Sequence, residues 1–169
     1  MKMVLIGFMG SGKSSIAKRL GQLLKWPTLE MDEEVLCKTH TKNMHEVFAK
    51  GGELLLRETE LLIAQEYALL NNSVISTGGG VVLNKRVLKF LKGSSGKIVF
   101  LNATFQTIAA RLAEDVSRPL FKNKEEAYTL YQDRKPLYQL YADQVIEVDH
   151  KSVEEIAQEI VITAREYGK

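Results

Sequence analysis

Eight residues near the N-terminus, Gly7-Phe8-Met9-Gly10-Ser11-Gly12-Lys13-Ser14, fit the pattern G-x-x-x-x-G-K-[ST]. The spacing suits a polyphosphate. Backbone N–H groups must ring the anion, and glycines let the chain curl around it without side chains blocking the approach. The helix that follows adds its first amides and the positive end of its dipole. Lys13 places a cation on the bridging and terminal oxygens, and the Ser14 hydroxyl can complete a Mg2+ shell otherwise made of water and phosphate. Gly10, Ser11, Gly12, Lys13, Ser14 and Ser15 are therefore expected to hold a nucleoside triphosphate with Mg2+ at Ser14. The competing reading is a Gly-rich turn that happens to end in Gly-Lys-Ser.

Other residues offer chemistry less sharply. Asp32 ends a short strand-like run, where ligands of open α/β sheets bind, and could accept hydrogen bonds or a proton from a substrate hydroxyl. It could equally cap the next helix. Gly78, Gly79 and Gly80 leave bare backbone for a ligand to approach, or serve a turn with positive φ. Arg118, before Pro119 in a polar stretch, could swing over the β- and γ-phosphates as a lid closes and exclude water. Glu60 is three residues after Arg57 on one helix face and could orient it. His40, His45 and His150 share no motif and read as surface residues. Cys37, the single cysteine, reads as buried or half-buried. An internal disulfide is ruled out and a Cys/His zinc site is implausible.

The elements that position these residues alternate. Met3–Phe8 reads as a strand buried on both faces. Ser14–Lys25 reads as a helix, Pro27–Met31 as a strand, and Asp32–Lys50 as a helix interrupted near Thr39–Asn43. Glu53–Leu70 is a longer helix, and Val74–Ser76 a strand closed by the three glycines. Asn84–Leu91 is helical with a glycine stop, Lys97–Leu101 a strand, and Thr104–Glu114 a helix with Thr104 as a possible cap. The segment 115–123 reads as a loop. Lys124–Leu140 reads as helix, bent or ended by Pro136. Tyr128, Tyr131, Tyr138 and Tyr141 recur within it at helical spacing, as packing. Asp143–Val148 is a strand, and an apolar stripe from Val153 to Ala164 a last helix. Strands alternating with helices point to an α/β fold with a parallel sheet.

The chain has 169 residues, 45% hydrophobic and 26% charged, the size and composition of one soluble domain spanning 1–169. No apolar run approaches the ~18–20 residues of a membrane span. The basic, then apolar N-terminus leads into the Gly-rich segment and reads as a buried strand, not a targeting signal. A net charge of +2, with no Lys/Arg block, gives no argument for nucleic acid. A cytosolic location is expected.

The segments GFMGSGKSS (7–15), EMD (30–32), GGELLLRETE (51–60), STGGG (76–80), SRPL (117–120) and DRKPLY (133–138), in this order and spacing, resemble the shikimate kinase family over almost the whole chain. The resemblance implies a three-layer P-loop NTPase fold like that of nucleoside monophosphate kinases. It has a five-stranded parallel sheet flanked by helices, a substrate-binding region at about 32–60 and a short lid at about 115–123. It implies ATP-dependent phosphorylation of a ring hydroxyl of shikimate, a step towards aromatic amino acids, by a cytoplasmic monomer with neither nucleic acid nor membrane as partner. By the same resemblance Arg57 and Arg134 bind the substrate carboxylate, with Asp32, Gly78, Gly79 and Gly80 completing the acceptor site. Gly79 is the best candidate for a backbone N–H to the substrate. Lys13, Asp32 and Arg118 are the catalytic residues, Arg111 stacks on adenine, and the base also touches the segment 149–152. Two departures stand out. Glu30 replaces the first aspartate of Asp-x-Asp near Mg2+, and Leu56 replaces an aromatic beside the substrate. The rival readings are a gluconate or nucleoside monophosphate kinase, or a nucleotide-binding module without transfer activity.

Overall fold

The computed structural model describes residues 1–113 and 123–166. The expected lid and Arg118 therefore lie, but for Asn123, outside the described residues. Five strands form one parallel sheet in the order β2-β3-β1-β4-β5. They are β1 (Lys2–Ile6), β2 (Thr28–Glu30), β3 (Ser73–Ser76), β4 (Gly96–Asn102) and β5 (Gln144–Glu147). Every residue of β1 and β3 is buried, as expected of inner strands covered on both faces.

The helices among the described residues are α1 (Lys13–Leu24), α2 (Met31–Thr39), α3 (Met44–Ala68), α4 (Lys85–Lys92), α5 (Phe105–Ala113), α6 (Lys124–Tyr141) and α7 (Val153–Glu166). A single 3-10 turn covers Val81–Leu83. α1 packs on α7 and β3, α2 on α3, and α3 on α4, which also touches β1 and β4. Among the described residues no helix is long and apolar enough to cross a membrane.

Three details matter for the site. First, α3 breaks at Gly52 (φ 64°, ψ −160°), so the helix carrying Arg57 starts afresh at Glu53, where the sequence placed it. Second, α6 runs through Pro136 to Tyr141, although the proline was expected to bend or end it. Pro136 and Gln132 are both exposed, so the carbonyl freed by the missing N–H can turn to water. Buried Tyr131 and Tyr138 anchor the helix on either side. Third, Cys37 is exposed, against the expectation of burial. On α2 the buried face is Met31, Val35 and Thr39, at intervals of four, and Cys37 falls off that stripe.

Candidate functional site

The parallel sheet gathers the loop after β1, the start of α2 directly after β2 and the loop after β3 at its C-terminal edge, the side where such sheets bind ligands. The β1 loop carries the glycine motif. Gly10 (φ 76°) and Gly12 (φ 96°) adopt left-handed backbone that a side chain would strain. Gly12 is also the N-cap of α1, with no side-chain cap and no acidic residue in the first turn. That helix terminus has no acidic side chain in its own first turn to offset its positive end. α2, by contrast, has Asp32, Glu33 and Glu34 in its first turn.

Lys13 is buried, and its Nζ donates to the carbonyls of Gly7 (2.8 Å) and Phe8 (3.0 Å), which lay it along the loop. Arg111, on α5, donates to Gly10 O at 3.2 Å and so reaches the loop from the opposite wall. The Ser14 hydroxyl donates to Glu30 Oε2 at 3.1 Å, while Glu30 Oε1 is buried and has no partner among the described residues. A cleft of about 250 Å3 joins these groups, lined among others by Gly12, Lys13, Ser14, Glu30, Asp32 and Gly79. A larger depression of about 710 Å3 between α5 and α6 has mostly apolar walls, such as Phe105, Ala109 and Tyr128. It offers little to a phosphate.

The acceptor-site candidates converge on the three glycines after β3. The strand end is tied down by Thr77, whose hydroxyl donates to Leu5 O at 2.8 Å. A methyl built on Gly78 would lie 2.7 Å from Asp32 Oδ1, and one built on Gly80 would lie 2.8 Å from Arg57 Nη1. One on Gly79 would sit 3.5 Å from Met9 N and 3.8 Å from Arg134 Nη1. None of the three has positive φ. The alternative of a strained turn is therefore not what is found: glycine makes room at Gly78 and Gly80, whereas a methyl at Gly79 would make only ordinary contacts. Asp32 is likewise not the cap of α2, because Glu30 occupies that position.

Arg57 is held from two sides. Its Nη1 donates to Glu60 Oε2 at 2.8 Å, and Nε and Nη2 donate to Glu53 Oε1 at 3.2 and 3.0 Å. Glu60 is only 2% exposed, which excludes an ordinary surface pair. Burial pushes the Glu60 carboxyl up, Arg57 pulls it back, and Asp32 and Glu53 add to the rise, leaving it above the usual glutamate value. Burial alone would lower the Arg57 pKa, but its two carboxylate partners more than offset this and raise it. The i,i+4 spacing of Glu53 and Arg57 is the one signal by which this second anchor could have been found. Arg134 reaches the site from α6, with its Nε buried and without a hydrogen bond among the described residues. Tyr138 was read only as packing, yet its hydroxyl donates to Gly79 O at 2.5 Å. Leu56 is buried in the core. Asp149 accepts from Thr104 N at 3.2 Å and so caps α5 together with Thr104 itself.

Known proteins with this arrangement are numerous. The "Shikimate kinase" family model matches residues 9–165. A shikimate kinase of Dictyoglomus turgidum is 39% identical over 167 residues, 95% of either chain, and one of Enterococcus faecalis is 36% identical, covering 96% of this chain and 98% of that one. The structure of the Acinetobacter baumannii shikimate kinase in complex with shikimate superposes with a TM-score of 0.90 at 28% identity, over 98% of this chain and 93% of that one. The sheet order and the glycine loop are thus those of a P-loop NTPase, and the chain belongs to the shikimate kinase family.

Proposed function

We propose that this chain transfers the γ-phosphoryl group of ATP to a ring hydroxyl of shikimate, giving shikimate 3-phosphate and ADP. The observation that carries the reading is the convergence of Arg57, Arg134 and Asp32 on Gly78–Gly80, beside a phosphate loop whose Gly7 and Met9 backbones border Gly79. A ring acid bearing hydroxyls needs this set: guanidinium groups for the carboxylate, an acceptor for the hydroxyls, and bare backbone where the ring lies.

The amides of Gly10–Ser15 and the start of α1 grip the triphosphate, and Lys13 moves from its loop carbonyls to the phosphate oxygens. Arg57 and Arg134 clamp the carboxylate and thereby aim the hydroxyl at the γ-phosphorus. Its oxygen bonds to that phosphorus as the bond to the β–γ bridging oxygen breaks, and Asp32 takes the hydroxyl proton. The transition state is loose, so alignment and charge contribute more than basicity. Arg118 stabilises the transferring charge and Arg111 covers the adenine, next to the 149–152 segment. Mg2+ fits beside Ser14 and Glu30, where the Ser14 hydroxyl meets one carboxylate oxygen and the other is buried without a partner among the described residues. Bound there by Ser14, with Glu30 acting through its water shell, the ion would neutralise phosphate charge. The enzyme acts as a monomer in the cytosol on free substrates, with no nucleic acid or membrane partner.

The test is ADP release with and without shikimate, with gluconate as a control acid, in the parent and in Arg57→Ala. Release should depend on shikimate alone. The variant should lose roughly 100-fold in kcat/KM, about 3 kcal/mol, as expected when one partner of a desolvated charge pair is removed. ATP turnover indifferent to any acceptor would support a nucleotide-binding module instead.

A further inference from the structure

The run Gly78-Gly79-Gly80 is the most pliable backbone at the site, yet it has to present one fixed surface to a ligand. Its three carbonyls are held in different ways. Gly78 O accepts from Val81 N at 3.2 Å and Gly80 O from Leu83 N at 3.0 Å, both within the turn that starts the 3-10 helix. Gly79 O is instead held by a side chain from a distant helix, the Tyr138 hydroxyl, 59 residues away in sequence.

That tyrosine is itself immobilised. It is 1% exposed and stacks on Phe100 of β4, with ring centroids 5.1 Å apart and planes at 22°. Burial raises the phenol pKa well above its ordinary value, although Arg134, one helical turn earlier, pulls it partly back. The phenol is therefore a proton donor throughout the neutral range.

A trans peptide directs its N–H opposite to its C=O. Fixing Gly79 O against Tyr138 thus turns the Gly80 N–H the other way and blocks a flip of the Gly79–Gly80 peptide. Two glycines in succession would otherwise permit that flip at little steric cost. The same Gly79 borders Arg134 Nη1, and Gly80 borders the Arg57 guanidinium.

Resting on the shikimate kinase reading, we propose that Tyr138 is a positioning residue for the acceptor: through Gly79 O it sets the Gly79–Gly80 peptide plane on which the ring acid lies. It touches neither substrate in this role. ATP should be indifferent to it, because the phosphate loop is braced separately by its own turn, Ser11 N to Phe8 O at 3.2 Å.

The test compares the parent, Tyr138→Phe and Phe100→Leu. Tyr138→Phe removes only the oxygen. It should raise the KM for shikimate roughly five- to tenfold, the weight of one buried hydrogen bond, while leaving the KM for ATP unchanged. Amide hydrogen exchange in the 78–83 segment should also quicken, a readout independent of turnover. Phe100→Leu loosens the packing of the ring but keeps the hydroxyl bond; it should lower the melting temperature and raise the KM for shikimate by clearly less than Tyr138→Phe does. An unchanged shikimate KM in Tyr138→Phe would overturn the proposal. So would a joint rise of both KM values, an equal KM effect of Phe100→Leu, or a Tyr138→Phe chain that does not fold. The parent assay with shikimate tests the activity itself. A parent inert towards shikimate whose Tyr138→Phe exchange still quickens would sink the activity reading and leave the hold on Gly79 intact.

Discussion

Gly78 and Gly80 both make room for a candidate site side chain, but for different ones, so alanine at each should fail differently. A methyl at Gly78 meets the Asp32 carboxylate and one at Gly80 meets the Arg57 guanidinium. Gly78→Ala should therefore lower kcat by about tenfold or more through a misplaced Asp32, since small displacements of aligned groups are costly. Gly80→Ala should mainly raise the KM for shikimate. Steady-state kinetics with each substrate varied separates the two. Glu60 gives a residue-level pH effect. Its folded pKa lies above the ordinary 4.5, so the fold binds its proton more tightly than the unfolded chain does. Stability from this group is then present at low pH and lost as pH rises through the folded value. Glu60→Gln mimics the protonated form. In urea unfolding from pH 4 to pH 7, the parent should lose ground to Glu60→Gln as pH rises above 4.5; the opposite trend would mean a lowered pKa. Arg57, Asp32 and Arg134 were legible as candidates because their motifs keep order and spacing along the chain. Tyr138 was not, since a tyrosine at helical spacing looks alike whether its hydroxyl meets water or a carbonyl across the fold.

Among the elements, those carrying one strong period were the most legible. β1 was found from its unbroken apolar run and α7 from its stripe, and the start of the long helix at Glu53 matches the restart of α3 after Gly52. Pro136 misled because the rule that proline ends a helix weighs local hydrogen bonding, whereas here two buried tyrosines hold α6 from either side. A contact between elements that no local pattern announces is that of Lys2 with α3. Lys2 is 1% exposed, and its Nζ donates to Tyr67 O and Ala68 O, both at 3.0 Å. These carbonyls close α3, so the first residue of β1 compensates the negative end of the helix that carries Arg57. Lys2→Met keeps the stem and removes the donor. It should cost about 1–3 kcal/mol, a fall in melting temperature of roughly 5 °C by calorimetry. A variant as stable as the parent would show that water serves these carbonyls equally well.

At the scale of the whole molecule, the sheet separates what stabilises from what reacts. Lys2 and the phosphate loop sit at opposite ends of β1, five residues and so about 16 Å apart along the strand. Every candidate catalytic group described lies at the C-terminal end: the loop after β1, Glu30 and Asp32 at the close of β2, and the glycines after β3. Sites this far apart that share no partner contribute to stability almost independently. Rigid strands between the two ends would transmit a loss at one end as a lower melting temperature, not as a displaced arginine. Lys2→Met should therefore leave both KM values within about twofold of the parent, and its melting loss should add to that of Gly80→Ala in the double variant to within about 0.5 kcal/mol. Coupling well beyond that margin would mean that α3 carries the disturbance from its C-terminus to Arg57, and that the helix, rather than the sheet, sets the geometry of the acceptor site.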